Sequence, residues 1–303
     1  MEHTPQLEHL SNCQRCGKPA LAPILKVRDH SISGETFQLT DCTACSFRST
    51  NPRPGQNEIG RYYESDAYIS HTNASTSIKD RLYQLARKRA LRNKYELIHR
   101  YQPQGRVLDI GCGTGQFLGY LASRGYLVQG VEPSDKARAQ AIADHAVNVV
   151  PTIEQVPSQE NLQVITMWHV LEHVPDPKAT FKKLYALLAD RGLLVIAVPD
   201  RESWDAQHYG NDWAAYDVPR HLSHFRRDDL RWFLQAHGFE LVAIRRMWMD
   251  APYIALLSEQ YRGASMPVAL IKGLLMGAWS NLHALLGGRP TSSSLYVARK
   301  KEP

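Results

Sequence analysis

A glycine-rich turn, Gly111-x-Gly113-x-Gly115, follows a short apolar run at 107–110 and precedes a helical segment that begins at Phe117. Glycines permit a sharp turn and let backbone amides approach a ligand without a clash from Cβ. The helix that follows presents its N-terminal amides to polar ligand groups. Glu132 ends the next predicted strand, 21 residues after Gly111, where a carboxylate can accept both hydroxyls of a ribose. These residues together predict a nucleoside-binding edge.

The spacing of the glycines separates two kinds of nucleotide site. The dinucleotide fingerprint Gly-x-Gly-x-x-Gly requires a glycine in its sixth position. Gln116 stands there, and the third glycine is Gly115. The pattern therefore argues against a dinucleotide site.

The region from residue 106 alternates apolar strand patterns with helical ones. Strands are predicted at 107–110, 126–131, 147–150, 164–167, 193–198 and 239–247, and an antiparallel last strand at 295–298. Helices are predicted at 117–123, 134–144, 177–189 and 227–236. Alternation of this kind, with apolar strands, predicts an α/β fold whose parallel sheet is covered on both faces.

Two motifs in this region resemble those of one enzyme family. The segment Asp109-Ile110-Gly111-Cys112-Gly113-Thr114-Gly115 resembles the first motif of class I methyltransferases that use S-adenosylmethionine (SAM), and Glu132 matches their ribose-binding acid. Residues 162–177, which include Trp168-His169-Val170-Leu171-Glu172-His173, resemble the fourth-strand motif of the branch containing ubiquinone-biosynthesis O-methyltransferases. The resemblance covers about residues 100–247 and implies a Rossmann-like seven-stranded sheet. The cofactor contacts that we expect are Asp109, Gly111, Cys112, Gly113, Gly115, Glu132, Met167 and Tyr63.

Methyl transfer to a hydroxyl requires a base, because the acceptor must lose a proton. His169 directly follows the fourth strand, and His221 and His224 lie in the loop after the fifth, in a Pro-Arg-His-Leu-Ser-His-Phe segment that resembles one found in bacterial methyltransferases of this branch. These three histidines are the predicted catalytic residues. The alternatives are that His169 packs against the cofactor and that the loop caps the next helix. In related quinone O-methyltransferases, the pair matching Glu172 and His173 is linked to Mg²⁺, and helix capping is the other interpretation here.

Four cysteines form two pairs, Cys13-x-x-Cys16 and Cys42-x-x-Cys45, with 25 residues between them. In a chain without an export signal, paired CxxC knuckles favour zinc over disulfides. Four thiolates suit a closed tetrahedral Zn²⁺ site of structural type. The sequence predicts a zinc ribbon, with no part for the metal in the chemistry.

The net charge of +6 is concentrated in one segment. Residues 76–101 contain eight basic and two acidic residues and read as a helix. This segment leaves two enzyme classes open. The first is a methyltransferase that acts on a small molecule (a glycan precursor, a quinone-like phenol or another metabolite), with oxygen as the expected acceptor atom. The second is an RNA methyltransferase that binds phosphates with the zinc ribbon and the basic helix. The first is favoured, since the fourth strand is not followed by the motif typical of amine methylation on RNA bases. A SAM-binding scaffold without catalysis is the third alternative.

The predicted organisation has three parts. They are a zinc-ribbon module at 1–54, a connector with Tyr62, Tyr63 and Tyr68 plus the basic helix at 55–101, and the methyltransferase domain at 102–303. A helical insertion at about 250–290 precedes the last strand and is apolar enough to touch a membrane surface. The absence of a signal-peptide pattern in the first ten residues predicts a cytoplasmic protein.

Overall fold

The computed structural model describes residues 7–63, 78–157 and 161–301. The predicted connector residue Tyr68 lies outside these ranges. Five short strands form the N-terminal module: β1 (Leu7–Glu8), β2 (Leu21–Arg28), β3 (Thr36–Cys42), β4 (Arg48–Thr50) and β5 (Arg53–Pro54). Strands β2, β3 and β4 pair in antiparallel order, and β1 pairs with β5.

The elements after the module are eight α-helices and eight strands, within the ranges that the structure describes. In chain order they are α1 (Ile78–Tyr101), β6 (Arg106–Ile110), α2 (Gln116–Ala122), β7 (Leu127–Val131), α3 (Asp135–His145), β8 (Asn148–Val150), β9 (Leu162–Trp168), α4 (Pro177–Leu187), β10 (Leu188–Pro199), α5 (Trp204–Tyr209), β11 (Ser223–His224), α6 (Arg227–Ala236), β12 (Phe239–Arg246), α7 (Asp250–Tyr261), α8 (Met266–Leu286) and β13 (Ser293–Lys300).

Seven of these strands form one sheet in the order β12-β13-β10-β9-β6-β7-β8. Strand β13 runs antiparallel to both of its neighbours, and the pairs from β10 to β8 are parallel. The central strands are buried because helices cover both faces, which explains their nearly continuous apolar runs. The predicted α/β class, the seven strands and the antiparallel last strand are confirmed.

The cysteine module shares a sheet and a core with the methyltransferase region. Strand β11 pairs with β4, so residues 223–224 extend the sheet of the module. The ring of Phe47 lies 5.8 Å from the rings of Phe225 and Phe233, and all three side chains are buried in one cluster. Tyr62 is also buried and meets Phe37 edge to face at 5.6 Å. The predicted domain boundaries, after residues 54 and 101, stay a prediction, but the module shares its sheet and its core with the methyltransferase region.

The predicted insertion folds as a hairpin of two helices, α7 and α8. Its first residue, Asp250, follows directly on the turn that leaves β12 at the carboxyl edge of the sheet. Helix α1 packs on the sheet through Leu91, Tyr95 and the fully buried Ile98, and its Lys94 lies over Trp168 at the end of β9. Two elements outside the sheet therefore reach the edge where ligands bind in open α/β folds.

Candidate active site

The glycine turn has the conformation that its residue types predict. Gly111, Gly113 and Gly115 have φ of +70°, +54° and +73°, a region that other residues rarely adopt. A Cβ on Gly111 would clash with Val170, and a Cβ on Gly115 would lie 2.8 Å from that of Ala141. Nothing lies within 4 Å of the Cβ position of Gly113. Two glycines thus permit close packing, and the third borders open space suited to a ligand.

Glu132 is held beside this open space by two backbone amides. Its carboxylate accepts hydrogen bonds of 2.9 Å from the amides of Gly113 and Ser134, one at each oxygen. Each oxygen keeps a further lone pair, so the carboxylate remains able to accept two hydroxyls. The predicted ribose contact is therefore oriented next to the turn before a ligand arrives.

Asp109, at the end of β6, is buried and accepts a 2.5 Å hydrogen bond from the hydroxyl of Thr166. Burial raises the pKa of Asp109 to about 6, against the opposing charge of Lys94. The ammonium of Lys94 lies 4.2 Å above the ring of Trp168. Burial lowers the pKa of Lys94, while Asp109 and Asp250 oppose that shift. Lys94 thus places a cation from the basic helix at the site.

Three other predicted cofactor contacts, Cys112, Met167 and Tyr63, have side chains that contact other parts of the protein. The thiol of Cys112 packs on β7 beside Gly130, and burial raises the pKa of this thiol far above its usual range. Met167 is fully buried in the main core cluster. The hydroxyl of Tyr63 lies 2.9 Å from Nδ1 of His173. The thiol of Cys112 is thus packed against the sheet, and Tyr63 contacts His173.

His169 lies between two carboxylates in a left-handed backbone conformation, with φ of +57°. Its Nε2 is 3.1 Å from Asp250 Oδ2, and its Nδ1 is 3.4 Å from Glu172 Oε1. Burial disfavours the charged ring, but the two close carboxylates of Asp250 and Glu172 outweigh it and raise the pKa of His169 to about 10. The side chain keeps 38% of its surface exposed. At neutral pH His169 is therefore a reachable imidazolium.

Glu172 also lies close to two further histidines, His173 and His221. One ligand atom each from Glu172, His173 and His221 lies within 4.8 Å of the others. The carboxylate is 1% exposed, and neither oxygen has an aligned hydrogen bond within the described ranges. Burial raises the pKa of Glu172, but the neighbouring histidines, His169 foremost, outweigh that effect and hold it below its usual range. A buried carboxylate in this state needs cations or a bound ion nearby.

The tautomers of His173 and His221 follow from their backbone partners. Nδ1 of His173 lies 3.0 Å from the carbonyl of Arg220, and Nδ1 of His221 lies 2.9 Å from the carbonyl of Ala215. A carbonyl only accepts, so both Nδ1 atoms carry hydrogen. Burial lowers the pKa of His173 to about 4, which keeps the ring uncharged.

His224 does not join this group. It lies in β11, where its Nε2 is 3.0 Å from the hydroxyl of Thr50, and burial lowers its pKa far below the ordinary value. The adjacent Arg220 binds Asp29 at 3.0 Å and Asp217 at 2.6 Å. Both side chains fasten the loop to the N-terminal module, whereas His221 lies within the group formed by Glu172 and His173.

The four paired cysteines converge as predicted. One sulfur from each lies within 4.8 Å of the others, with 3.5 Å between Cys13 and Cys45 and 3.6 Å between Cys16 and Cys42. A disulfide would need about 2.05 Å. Tetrahedral zinc with Zn–S bonds of about 2.3 Å places its sulfurs about 3.8 Å apart. The sulfur geometry suits a metal and excludes paired disulfides.

The sheet order, the glycine turn and Glu132 together define a class I methyltransferase fold. A family model described as a methyltransferase domain matches residues 80–244, more than half of the chain. The chain belongs to this methyltransferase family.

Named relatives extend the comparison. A protein of Bradyrhizobium diazoefficiens named ubiquinone biosynthesis O-methyltransferase is 34% identical over 32% of this chain and 40% of its own length. One of Idiomarina loihiensis with the same name is 28% identical over 55% of this chain and 74% of its own length. The chain thus spans between two fifths and three quarters of these relatives. Their names give no support to the RNA alternative.

The fold is also that of a solved structure. Magnesium protoporphyrin IX methyltransferase from Synechocystis PCC 6803, with bound SAH, superimposes with a TM-score of 0.54 and 14% identity. The match covers 82% of this chain and all of that one. At this identity the likeness concerns the fold alone.

The charged state of His169 is directly measurable. We expect its Cε1 proton to titrate in NMR with a pKa well above 6.5, and Asp250→Asn to lower that pKa, because one of the two stabilising charges is removed. Since the pKa is raised on folding, His169 adds to the free energy of unfolding fully below pH 6.5, and the contribution is lost as pH rises through about 10. Asp228→Asn, on an exposed carboxylate, is the control. A wild-type pKa near 6.5 would contradict this assignment.

Proposed function

We propose that this chain transfers the methyl group of SAM to a hydroxyl of a small molecule. The main support is the position of His169, which lies between Glu172 and Asp250. This position is at the same edge of the sheet as the glycine turn and Glu132. Relatives that are named O-methyltransferases support oxygen as the acceptor atom.

The residues present fit SAM at this edge. Gly113 borders open space, Glu132 keeps lone pairs for two hydroxyls, and Asp109 lies where the resemblance expects the methionine part. Lys94 adds a cation that can attract a carboxylate. When bound, SAM supplies a methyl group on a sulfonium, which is transferred by in-line displacement, so the chain must hold the acceptor oxygen in line.

His169 is the proposed base, with Glu172 as its positioning residue. The two ion pairs of the ring are not aligned as hydrogen bonds, since Asp250 Oδ2 and Glu172 Oε1 both lack an aligned donor. An acceptor hydroxyl that takes the place of Asp250 at Nε2 removes one stabilising charge and lowers the pKa of the ring. Once the ring has released its proton to solvent, Nε2 takes the hydroxyl proton, and Glu172 stabilises the imidazolium that forms again, as in a carboxylate–histidine pair.

The cysteine cluster is proposed to hold one Zn²⁺ that stabilises the module. The group of Glu172, His173 and His221 has a different donor set, two imidazoles and one carboxylate. Such a set suits transition metals, whereas Mg²⁺ prefers oxygen ligands. The proposed function therefore includes no Mg²⁺, in contrast to the expectation drawn from the quinone enzymes.

Turnover of labelled SAM tests the proposed function. In a nuclease-treated cell extract, we expect methyl label in the solvent-extractable small-molecule fraction, and His169→Ala to lower its rate by about 100-fold or more. SAM affinity should be unchanged in that variant, and turnover should be unchanged in the control His9→Ala. The rate should rise with pH up to about 10, and Asp250→Asn should shift that rise to lower pH. Full turnover in His169→Ala would reject this base, and label confined to RNA in an untreated extract would reject the small-molecule acceptor.

Metal analysis tests the zinc proposal. We expect about one Zn²⁺ per purified chain by mass spectrometry. Cys42→Ser should lose the metal and lower the Tm, because the fourth ligand is gone and the sulfur lies in the shared core. Cys112→Ser is the matched control and should keep both. A zinc-free wild-type chain with the same Tm as the loaded one would contradict the proposal.

A further inference from the structure

Helix α8 buries small residues and exposes large apolar ones, which is the reverse of an ordinary surface helix. The residues that it buries are small: Ala269, Gly273, Gly277, Ser280 and Ala284. They let α7 approach closely, since a Cβ on Gly273 would lie 2.6 Å from Cα of Leu256 and one on Gly277 would clash with Pro252. In a soluble amphipathic helix the large apolar residues face the core instead.

The large apolar residues of α8 point outward. Between 40% and 76% of each side chain is exposed in the outer face, which consists of Met266, Val268, Leu270, Ile271, Leu274, Leu275, Trp279, Leu282, Leu285 and Leu286. An exposed apolar surface of this extent marks a contact with protein or membrane. Small residues toward the neighbouring helix and large ones away from it are typical of helices in lipid. Within the described ranges α8 is also the one helix long and apolar enough to cross a bilayer.

The protein side of α8 favours lying on a bilayer over crossing it. Ser280 donates a 2.7 Å hydrogen bond to Asp205, and His283 stacks on Trp204 at 5.3 Å. Gly273 and Gly277 remain against α7 one turn apart. A helix fastened along its length to the protein exposes only one face to lipid, which is the geometry of an interfacial helix.

The charges around the outer face identify the lipid. No acidic residue occurs between Glu259 and Glu302, and the basic residues in or beside α8 are Arg262, Lys272 and Arg289. Arg262 lies 3.4 Å from Asp212 and Lys272 lies 3.2 Å from Glu259. Arg262 and Arg289 are exposed just beyond the two ends of α8. Basic residues beside an apolar face attract anionic phospholipid headgroups. A second copy fits less well, because an antiparallel two-fold pairing of α8 would bring these arginines together.

The outer face continues toward the candidate active site. Trp248, Met249 and Tyr253 are exposed at the start of α7, and they flank Asp250, the partner of His169. Aromatic side chains of this kind favour the boundary between headgroups and acyl chains. An apolar molecule in the bilayer would thus meet His169 along α7.

We propose that the α7–α8 hairpin docks on an anionic phospholipid bilayer and that the acceptor is a lipid-soluble hydroxyl compound drawn from it. The contact with the bilayer is independent of the proposed function, whereas the lipid-soluble acceptor rests on it.

Vesicle sedimentation of the full chain, without SAM or acceptor, tests the surface. We expect binding to phosphatidylcholine vesicles that contain phosphatidylglycerol, weaker binding to pure phosphatidylcholine, and loss of binding as salt screens the arginines. Ile271→Gln with Leu275→Gln should weaken binding by about tenfold or more, since both side chains leave lipid. Arg262→Gln with Arg289→Gln should weaken binding to the anionic vesicles alone. Leu127→Gln, at an equally exposed leucine away from the hairpin, is the matched control.

Two outcomes would overturn the surface proposal. One is an absence of vesicle binding by a folded wild-type chain that still binds SAM. The other is a concentration-dependent dimer in sedimentation that the Ile271→Gln/Leu275→Gln variant abolishes, which would assign the outer face to a second copy. The two proposals fail separately: methylated product without vesicle binding rejects the membrane surface, and vesicle binding without any methylated small molecule rejects the proposed function. Methylated product confined to the aqueous fraction rejects the lipid-soluble acceptor.

Discussion

Compensation of negative charge at the carboxyl edge of the sheet is the constraint on which the candidate active site depends. Asp109 and Glu172 are buried there, and Asp250 is largely shielded. A buried carboxylate without a cationic partner costs several kcal/mol. The cations come from two places: Lys94 of α1 lies beside Asp109, and His169 lies between the other two acids. Helices α1 and α7, which are not part of the sheet, are thereby drawn to the same edge.

The same constraint gives the histidines different states. His169 is charged because it lies between two carboxylates, whereas burial keeps His173 uncharged, and both His173 and His221 donate from Nδ1 to backbone carbonyls. Pairs of titratable groups whose surroundings push their pKa values apart are typical of sites that move protons. The loop that carries His221 is fixed in turn by Arg220 and its two acids, so the N-terminal module contributes to the geometry of the site.

Much of the fold follows from the sequence because strand and helix periodicities are local. The seven strands, the glycine turn, Glu132 and the converging cysteines were all predictable, since each depends on spacing or on residue type. Asp250 was not, because it lies in an insertion and meets His169 only after the 80 intervening residues have folded.

The special position of Lys94 within the basic segment could be recognised from the sequence. It falls three residues after Leu91 and four before Ile98, both on the packed side of α1, which separates it from the solvated cations around it. His224 resembled His221 in sequence, but pairing of β11 with β4 decides its position, and no local pattern encodes a contact made over 170 residues. Cofactor motifs were therefore easier to read than acceptor residues.

Calorimetric titration of SAM into the purified chain tests the central claim most directly. The account predicts saturable binding with one site per chain, and a loss of affinity of about 10- to 100-fold in Glu132→Ala, because two hydroxyls lose hydrogen bonds to a charged acceptor. Glu154→Ala, on the carboxyl-edge side of β8 but outside the turn, should bind as the wild type does. A folded wild-type chain that binds no SAM, or a Glu132→Ala variant with unchanged affinity, would contradict the account.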